Sequence, residues 1–201
     1  MGRIDLVEPY AIRNARKAVI ESMQAHGEEV IALAMYHPGI DENVPRCPNC
    51  YDPDYKQADK GSCSVCYGTS FDGGVKTMAR IWAMFDDSTN LEKIERQGVW
   101  QMGNRGVQME ANPQMMEHDY LLRVKRWSHD HRPLEIAEAF SLDVVTIMSL
   151  RTGNQHVQTD ADRIGQKAQA HMLDTSHVIY KVNGRLVSPD FTVPRYDGLR
   201  R

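Results

Sequence analysis

The chain has 201 residues, 41% of them hydrophobic and 25% charged, with a formal net charge of −3. These proportions are those of a folded globular protein rather than a disordered one, and the slight acidic excess argues against a dedicated duplex-DNA binder, which shows a basic stripe. The longest uncharged apolar run, Val30 to Tyr36, is far short of the ~20 residues that cross a bilayer as a helix, so no membrane contact is expected.

Residues 1–12 are too charged for an export signal, and the reading places folding in a cytosol. From Glu8 to about Ala25, Ile12, Ala15, Val19 and Met23 recur at helical spacing, while Arg13, Arg16, Lys17 and Glu21 fill another face. Pro9 suits an opening turn and Gly27 a stop, which predicts an N-terminal helix. Glu29 to Tyr36 is compact, apolar and flanked by Gly27 and Pro38, the pattern of a buried strand. Residues 37–75 then run as a long insertion with Pro, Asp and Gly throughout. A loop of that length inside a compact domain needs something to order it.

The insertion holds that something. Cys47 and Cys50, then Cys63 and Cys66, are the chain's four cysteines, with 12 residues between the pairs. Two thiolates separated by two residues bind one ion from a tight turn, and two such turns surround tetrahedral Zn²⁺ with four sulfurs. Small residues inside and after the pairs, above all Gly68, leave backbone N–H groups free to approach the sulfurs. Four sulfurs close the coordination shell, so the site is expected to be structural zinc rather than catalytic. A disulfide pair suits an exported chain, and a thioredoxin-like motif needs one C-x-x-C at a helix start; both are weaker readings here. An iron–sulfur cluster also uses four cysteines and stays open.

After Gly73-Gly74 the texture changes to short strands. Val75 to Phe85 alternates, with Thr77, Ala79, Ile81, Ala83 and Phe85 on one face. Ile94 to Met102, His118 to Trp127 and Leu142 to Leu150 are further strand candidates, separated by Gly, Asn-Pro and Ser/Asp-rich breaks. Ala161 to Leu173 fits either period and is read as a strand. His177 to Val182, Asn183-Gly184 and Arg185 to Ser188 read as a β-hairpin with the preferred two-residue turn. The expected fold is mainly β with an N-terminal helix, a small β-barrel or sandwich carrying a four-cysteine zinc-bound insertion loop. Its parts are 1–36 (helix and first strand), 37–75 (zinc insertion), 76–188 (barrel body) and 189–201 (C-terminal arm).

No catalytic set stands out, and an enzyme is not expected. His129-Asp130-His131 is the one tight histidine cluster, but neighbours on an extended chain point apart, and a solvated loop is the plainer reading. Met109, Met115 and Met116 read as core filling ahead of an adaptable contact surface. Trp82, Trp100 and Trp127 read as core or interface anchors.

The run Pro45-Arg46-Cys47-Pro48-Asn49-Cys50-Tyr51-Asp52, continuing to Cys63-Ser64-Val65-Cys66-Tyr67-Gly68-Thr69-Ser70-Phe71-Asp72-Gly73-Gly74, resembles a zinc-knuckle insertion in virion proteins of tailed bacteriophages. The later segments His118-Asp119-Tyr120, Arg123-Val124, Trp127, Ser149 to Gly153, Ile164-Gly165-Gln166 and Ile179-Tyr180 also look like that family. The resemblance is to neck components, the head-to-tail connector or stopper between portal and tail. It implies a small barrel, a ring-shaped homo-oligomer and no catalysis. Partners would be the portal or adaptor ring and the tail terminator or other tail proteins, with genome DNA passing through the channel without sequence-specific contact. The implied location is the virion, assembled in the bacterial host cytoplasm. Another tail or baseplate component is an alternative. A zinc-ribbon module for nucleic acid or chaperone work is a second, since Cys63 to Thr69 echoes the C-x-x-C-x-G repeats of J-domain co-chaperones.

Overall fold

The computed structural model describes residues 9–55, 57–58, 63–86, 104–150 and 163–182. Helix α1 spans Pro9–His26 and leads directly into strand β1, Glu28–Met35. Two short strands, β2 (Tyr51–Asp52) and β3 (Gln57–Ala58), pair within the insertion. Four long strands follow: β4 (Val75–Asp86), β5 (Asn104–Glu110), β6 (Tyr120–Trp127) and β7 (Pro133–Ser149). Strand β8 (Arg163–Met172) and a 3₁₀ turn, Val178–Val182, complete the described chain.

Six strands close into a barrel in the order β1-β4-β5-β8-β7-β6, and every neighbouring pair is antiparallel. Closure leaves this sheet no free edge. The period of two in the sequence decides what lies inside. Ala79, Ile81 and Ala83 of β4 are buried in the interior with Val30 and Ala32 of β1, Val107 and Met109 of β5, Leu121, Phe140, Leu142, Ala168 and Ala170. Small alanines on three strands and larger side chains opposite them fill a narrow lumen. β1 is buried on both faces, because Ile31, Leu33 and Met35 point outward into a second cluster with Leu122, Ala139, Val178, Ile179 and Val182. That two-sided burial is why its sequence is a continuous apolar run rather than an alternation.

α1 covers the opposite flank, packed on β8, β4 and β5. Ile12 and Met23 are buried while Arg13, Lys17 and Glu21 face solvent. Gly27 ends the helix as expected, its N–H reaching Met23 O at 2.7 Å. A Cβ there would stand 2.4 Å from Ala83 O, so the close entry of α1 into β1 depends on a residue without one.

β5 and β6 lie on opposite sides of the ring, so residues 111–119 must cross one end of the barrel. Buried backbone crossing an apolar lumen needs partners, and two buried side chains supply them. Gln166 accepts from Met115 N–H at 2.9 Å and donates to the carbonyls of Glu110 (2.9 Å), Ala111 (3.3 Å) and Pro113 (2.8 Å). Asp119 accepts from Met35 N–H and Met116 N–H, both at 2.7 Å, and lies 3.1 Å from His37 Nε2. Burial pushes the Asp119 carboxyl above its usual range, against the pull of those donors. At the other end Arg123 lies 2.6 Å from both Glu28 and Glu138 and stacks over Phe85.

The expected helix, first strand and β4 alternation appear, the strand read within 161–173 is β8 at Arg163–Met172, and the barrel is the one of the two expected architectures that forms. The hairpin predicted at 177–188 is corrected in its first arm: Val178–Val182 is a 3₁₀ turn. Its alternating apolar residues serve a one-sided turn, with Val178, Ile179 and Val182 buried together. Tyr180 Oη accepts from Ala139 N–H at 3.0 Å, and Leu173 N–H donates to Ala139 O, which anchors the turn to β7. Asn183-Gly184, Arg185 to Ser188, the strand candidate Ile94 to Met102 with its Trp100, and the arm at 189–201 lie outside the described residues. β7 is longer than the expected 142–150, starting at Pro133. Irregular register against β6 absorbs that start, as the missing proline N–H requires.

Candidate metal centre

β1 and β4 pair antiparallel along their length, so residues 36–74 are the connection of a hairpin. The connection folds as two cysteine turns laid side by side. In the first, Tyr51 N–H returns to Cys47 O at 3.1 Å; in the second, Tyr67 N–H returns to Cys63 O at 2.8 Å. Each C-x-x-C thus closes one turn that aims both sulfurs the same way. The turns are tied by an antiparallel bridge between Arg46 and Phe71, with Cys47 N–H donating to Ser70 O and Asp72 N–H to Pro45 O, both at 2.9 Å. Thr69 closes the second turn from above, its N–H and Oγ1 both donating to Cys66 O at 3.1 and 2.8 Å.

The four Sγ atoms converge, all lying within 4.8 Å of one another. Cys47 and Cys63 Sγ are 3.9 Å apart, and Cys50 and Cys66 Sγ are 3.3 Å apart. A tetrahedral ion with bonds of about 2.3 Å sets its sulfurs about 3.8 Å from one another. A disulfide needs about 2.05 Å, and all four thiols are free. The residues therefore fit a metal ion held by four sulfurs, and they form a buried cluster of their own with Val65 at its edge. Backbone N–H groups of Cys66 and Val65 aimed at Cys63 bring its thiol down to about 7. Ser70 and Gly68 N–H groups point at Cys66, but burial outweighs them and raises that thiol. Burial beside the other sulfurs raises Cys50. The cavity is costly for bare thiolates and suited to a cation that neutralises them.

Aromatic residues join this centre to the barrel. The Arg46 guanidinium sits over Phe71 at 4.2 Å and Tyr51 at 5.3 Å, linking a ring from each turn. Phe71 is fully buried and meets Tyr36, at the end of β1, at 5.9 Å. Tyr67, directly after Cys66, is 3% exposed and belongs to the outer barrel cluster with Ile31, Leu33 and Ile179. The role of these residues in joining the loop to the barrel was not predicted from sequence, although a tyrosine follows each C-x-x-C, and that repeat was the available signal.

Gly74 adds a steric requirement. Its φ is +69°, and a Cβ would lie 2.3 Å from Cys66 O. Gly73, with φ +75°, has nothing within 4 Å of the same position. Gly73→Ala should therefore cost only the ~1–2 kcal/mol of a left-handed non-glycine residue. Gly74→Ala should cost about 3 kcal/mol or more, because backbone must move as well. Chelator competition on the metal-loaded variants, scored as the rate of metal loss, reads the difference.

His129 and Asp130 are exposed, and His131 Nδ1 lies 3.7 Å from Glu29; the cysteines are the metal-capable cluster among the described residues. Met109 and Met115 are core, whereas Met116 is 38% exposed. Trp127 packs against the outer cluster. No protein-family model matches the chain, and no curated protein matches it.

Proposed function

We propose that this chain is a structural component of a tailed-bacteriophage virion that forms a ring in the neck between portal and tail, with Zn²⁺ as a structural ion at Cys47, Cys50, Cys63 and Cys66. The observation that carries this reading is the metal-ready hairpin connection on an edgeless barrel. Such a barrel cannot assemble by strand addition, so contacts between copies fall to its loops and outer faces. The thiol-lined connection carries exposed Ile40 and Tyr55 (58% and 77%), and a bound ion would stiffen it enough to present them. Closed rings arise from head-to-tail contacts between unlike surfaces, which a loop protruding from one barrel onto the flank of the next would supply. The slight acidic charge suits a channel through which DNA slides, since phosphate contacts to Lys and Arg are what hold it.

Two measurements test the reading. Elemental analysis of protein purified under reducing conditions should give one zinc per chain; iron with sulfide would replace zinc by a cluster. Native mass spectrometry and negative-stain microscopy, with and without a portal ring, should show closed rings of one copy number. A chain that stays monomeric in both settings yet binds unfolded polypeptide or nucleic acid through the cysteine loop would sink the neck assignment.

A further inference from the structure

We infer that metal occupancy controls the docking of the 3₁₀ turn Val178–Val182 on the barrel, with Tyr67 as the coupling side chain. The turn and the metal site are far apart in sequence but share one buried cluster. Tyr67, which immediately follows Cys66, belongs to that cluster together with Ile31, Leu33, Met35, Val178, Ile179 and Val182.

Its backbone is held in an uncommon state, with φ +53°, by the turn that returns Tyr67 N–H to Cys63 O. A left-handed tyrosine costs of order 1–2 kcal/mol, so it persists while the surrounding structure enforces it. Alongside that bond and the two from Thr69 to Cys66 O, the turn is held at its ends by Cys63 and Cys66, whose sulfurs a bound ion would clamp together. Release of the ion frees Tyr67 to leave the left-handed region and withdraw from the cluster.

Among the described residues, the turn and its neighbour are tied to the rest of the chain by the Ala139 N–H to Tyr180 Oη bond, by Tyr180 Oη donating to Leu173 O at 3.4 Å, and by the ring contact of His177 with Tyr120 at 5.9 Å. Held by side-chain contacts and lying outside the hydrogen-bonded sheet, such an element opens locally before the strands do. The inner cluster of the barrel contains neither Tyr67 nor any residue of the turn. Loss of Tyr67 therefore loosens the turn and leaves the lumen packed. Because coupling between two sites is reciprocal, removing the Tyr67 ring must also weaken metal retention.

Hydrogen exchange on the full chain tests this, comparing zinc-loaded protein with protein stripped by a chelator under reducing conditions. Amides in 173–182 should exchange roughly tenfold or more faster after stripping, within the usual span of coupling factors, while β5 and β8 amides keep their protection. Zinc-loaded Tyr67→Ala should show the same local loss and release zinc to a chromophoric chelator roughly tenfold faster. Unchanged protection of 173–182 in stripped protein overturns the proposal, and so does full protection in loaded Tyr67→Ala. Collapse of β5 and β8 protection on stripping also overturns it, since the metal would then hold the whole fold rather than one turn. The wild-type comparison decides the matter even if Tyr67→Ala does not fold.

Discussion

Replacing Cys66 by Ser should abolish tight metal binding and disorder residues 45–75 while the six-strand barrel stays folded. The serine hydroxyl is a poor substitute for a thiolate, and three sulfurs leave the coordination shell open. Structural zinc supplies an apparent ~10–16 kcal/mol of folding free energy in small metal modules. That is ample to order a connection with two paired two-residue strands and little core of its own. The barrel does not draw on that energy directly. Its interior cluster contains no cysteine-loop residue, and β1 pairs with β4 and β6 through its own backbone. Far-UV circular dichroism should thus retain the β signal, while amide exchange across 45–75 rises to that of an open chain. Cooperative loss of the entire β signal would show that the loop nucleates the barrel.

Gln166→Leu should destabilise the whole protein by about 4 kcal/mol, in the range reserved for buried polar networks losing their partner. Leucine has similar bulk but none of the bonding capacity. Met115 N–H and the carbonyls of Glu110, Ala111 and Pro113 would all lose their side-chain partner at once. Each buried group left unsatisfied costs ~1–3 kcal/mol, and the costs do not simply add. The segment concerned closes one end of the lumen, where Met115 joins the interior cluster, so the damage reaches the core rather than staying local. Urea unfolding of the metal-loaded protein measures the effect. Gln169→Leu, on the same strand but exposed, is the control and should stay within about 0.5 kcal/mol of wild type. Equal stability of the two variants would mean that water replaces the Gln166 bonds.

Spacing and periodicity along the chain are short-range signals, and the features they carried are short-range too. The C-x-x-C pairs sit in single turns, so the convergence of Cys47, Cys50, Cys63 and Cys66 into a cluster that could hold a metal ion was readable from residue type and spacing alone. α1 announced itself through Ile12, Val19 and Met23, and β4 through Ala79, Ile81 and Ala83, because each faces one partner surface and repeats with its own period. The misread turn at Val178–Val182 shows where this stops. Val-Ile-Tyr-Lys-Val has strand propensity, yet it docks as a turn because the outer faces of β1, β6 and β7 offer an apolar surface that only the closed barrel assembles. Propensity is a weak prior against such a surface.

By itself, then, the sequence determined a four-cysteine cluster able to hold a metal ion on a loop, an N-terminal amphipathic helix, one strand apolar throughout and others with a single apolar face. Tertiary structure decided that the strands close into a ring with β1 inside the sheet, and that the loop is the connection of its first hairpin. It also decided that Gln166 and Asp119, two polar residues with no motif around them, hold the segment crossing the barrel end. The reason is range. A cysteine pair or a helical stripe is complete within a few residues, whereas the worth of Gln166 or Tyr67 exists only once strands far apart in the chain have come together around it.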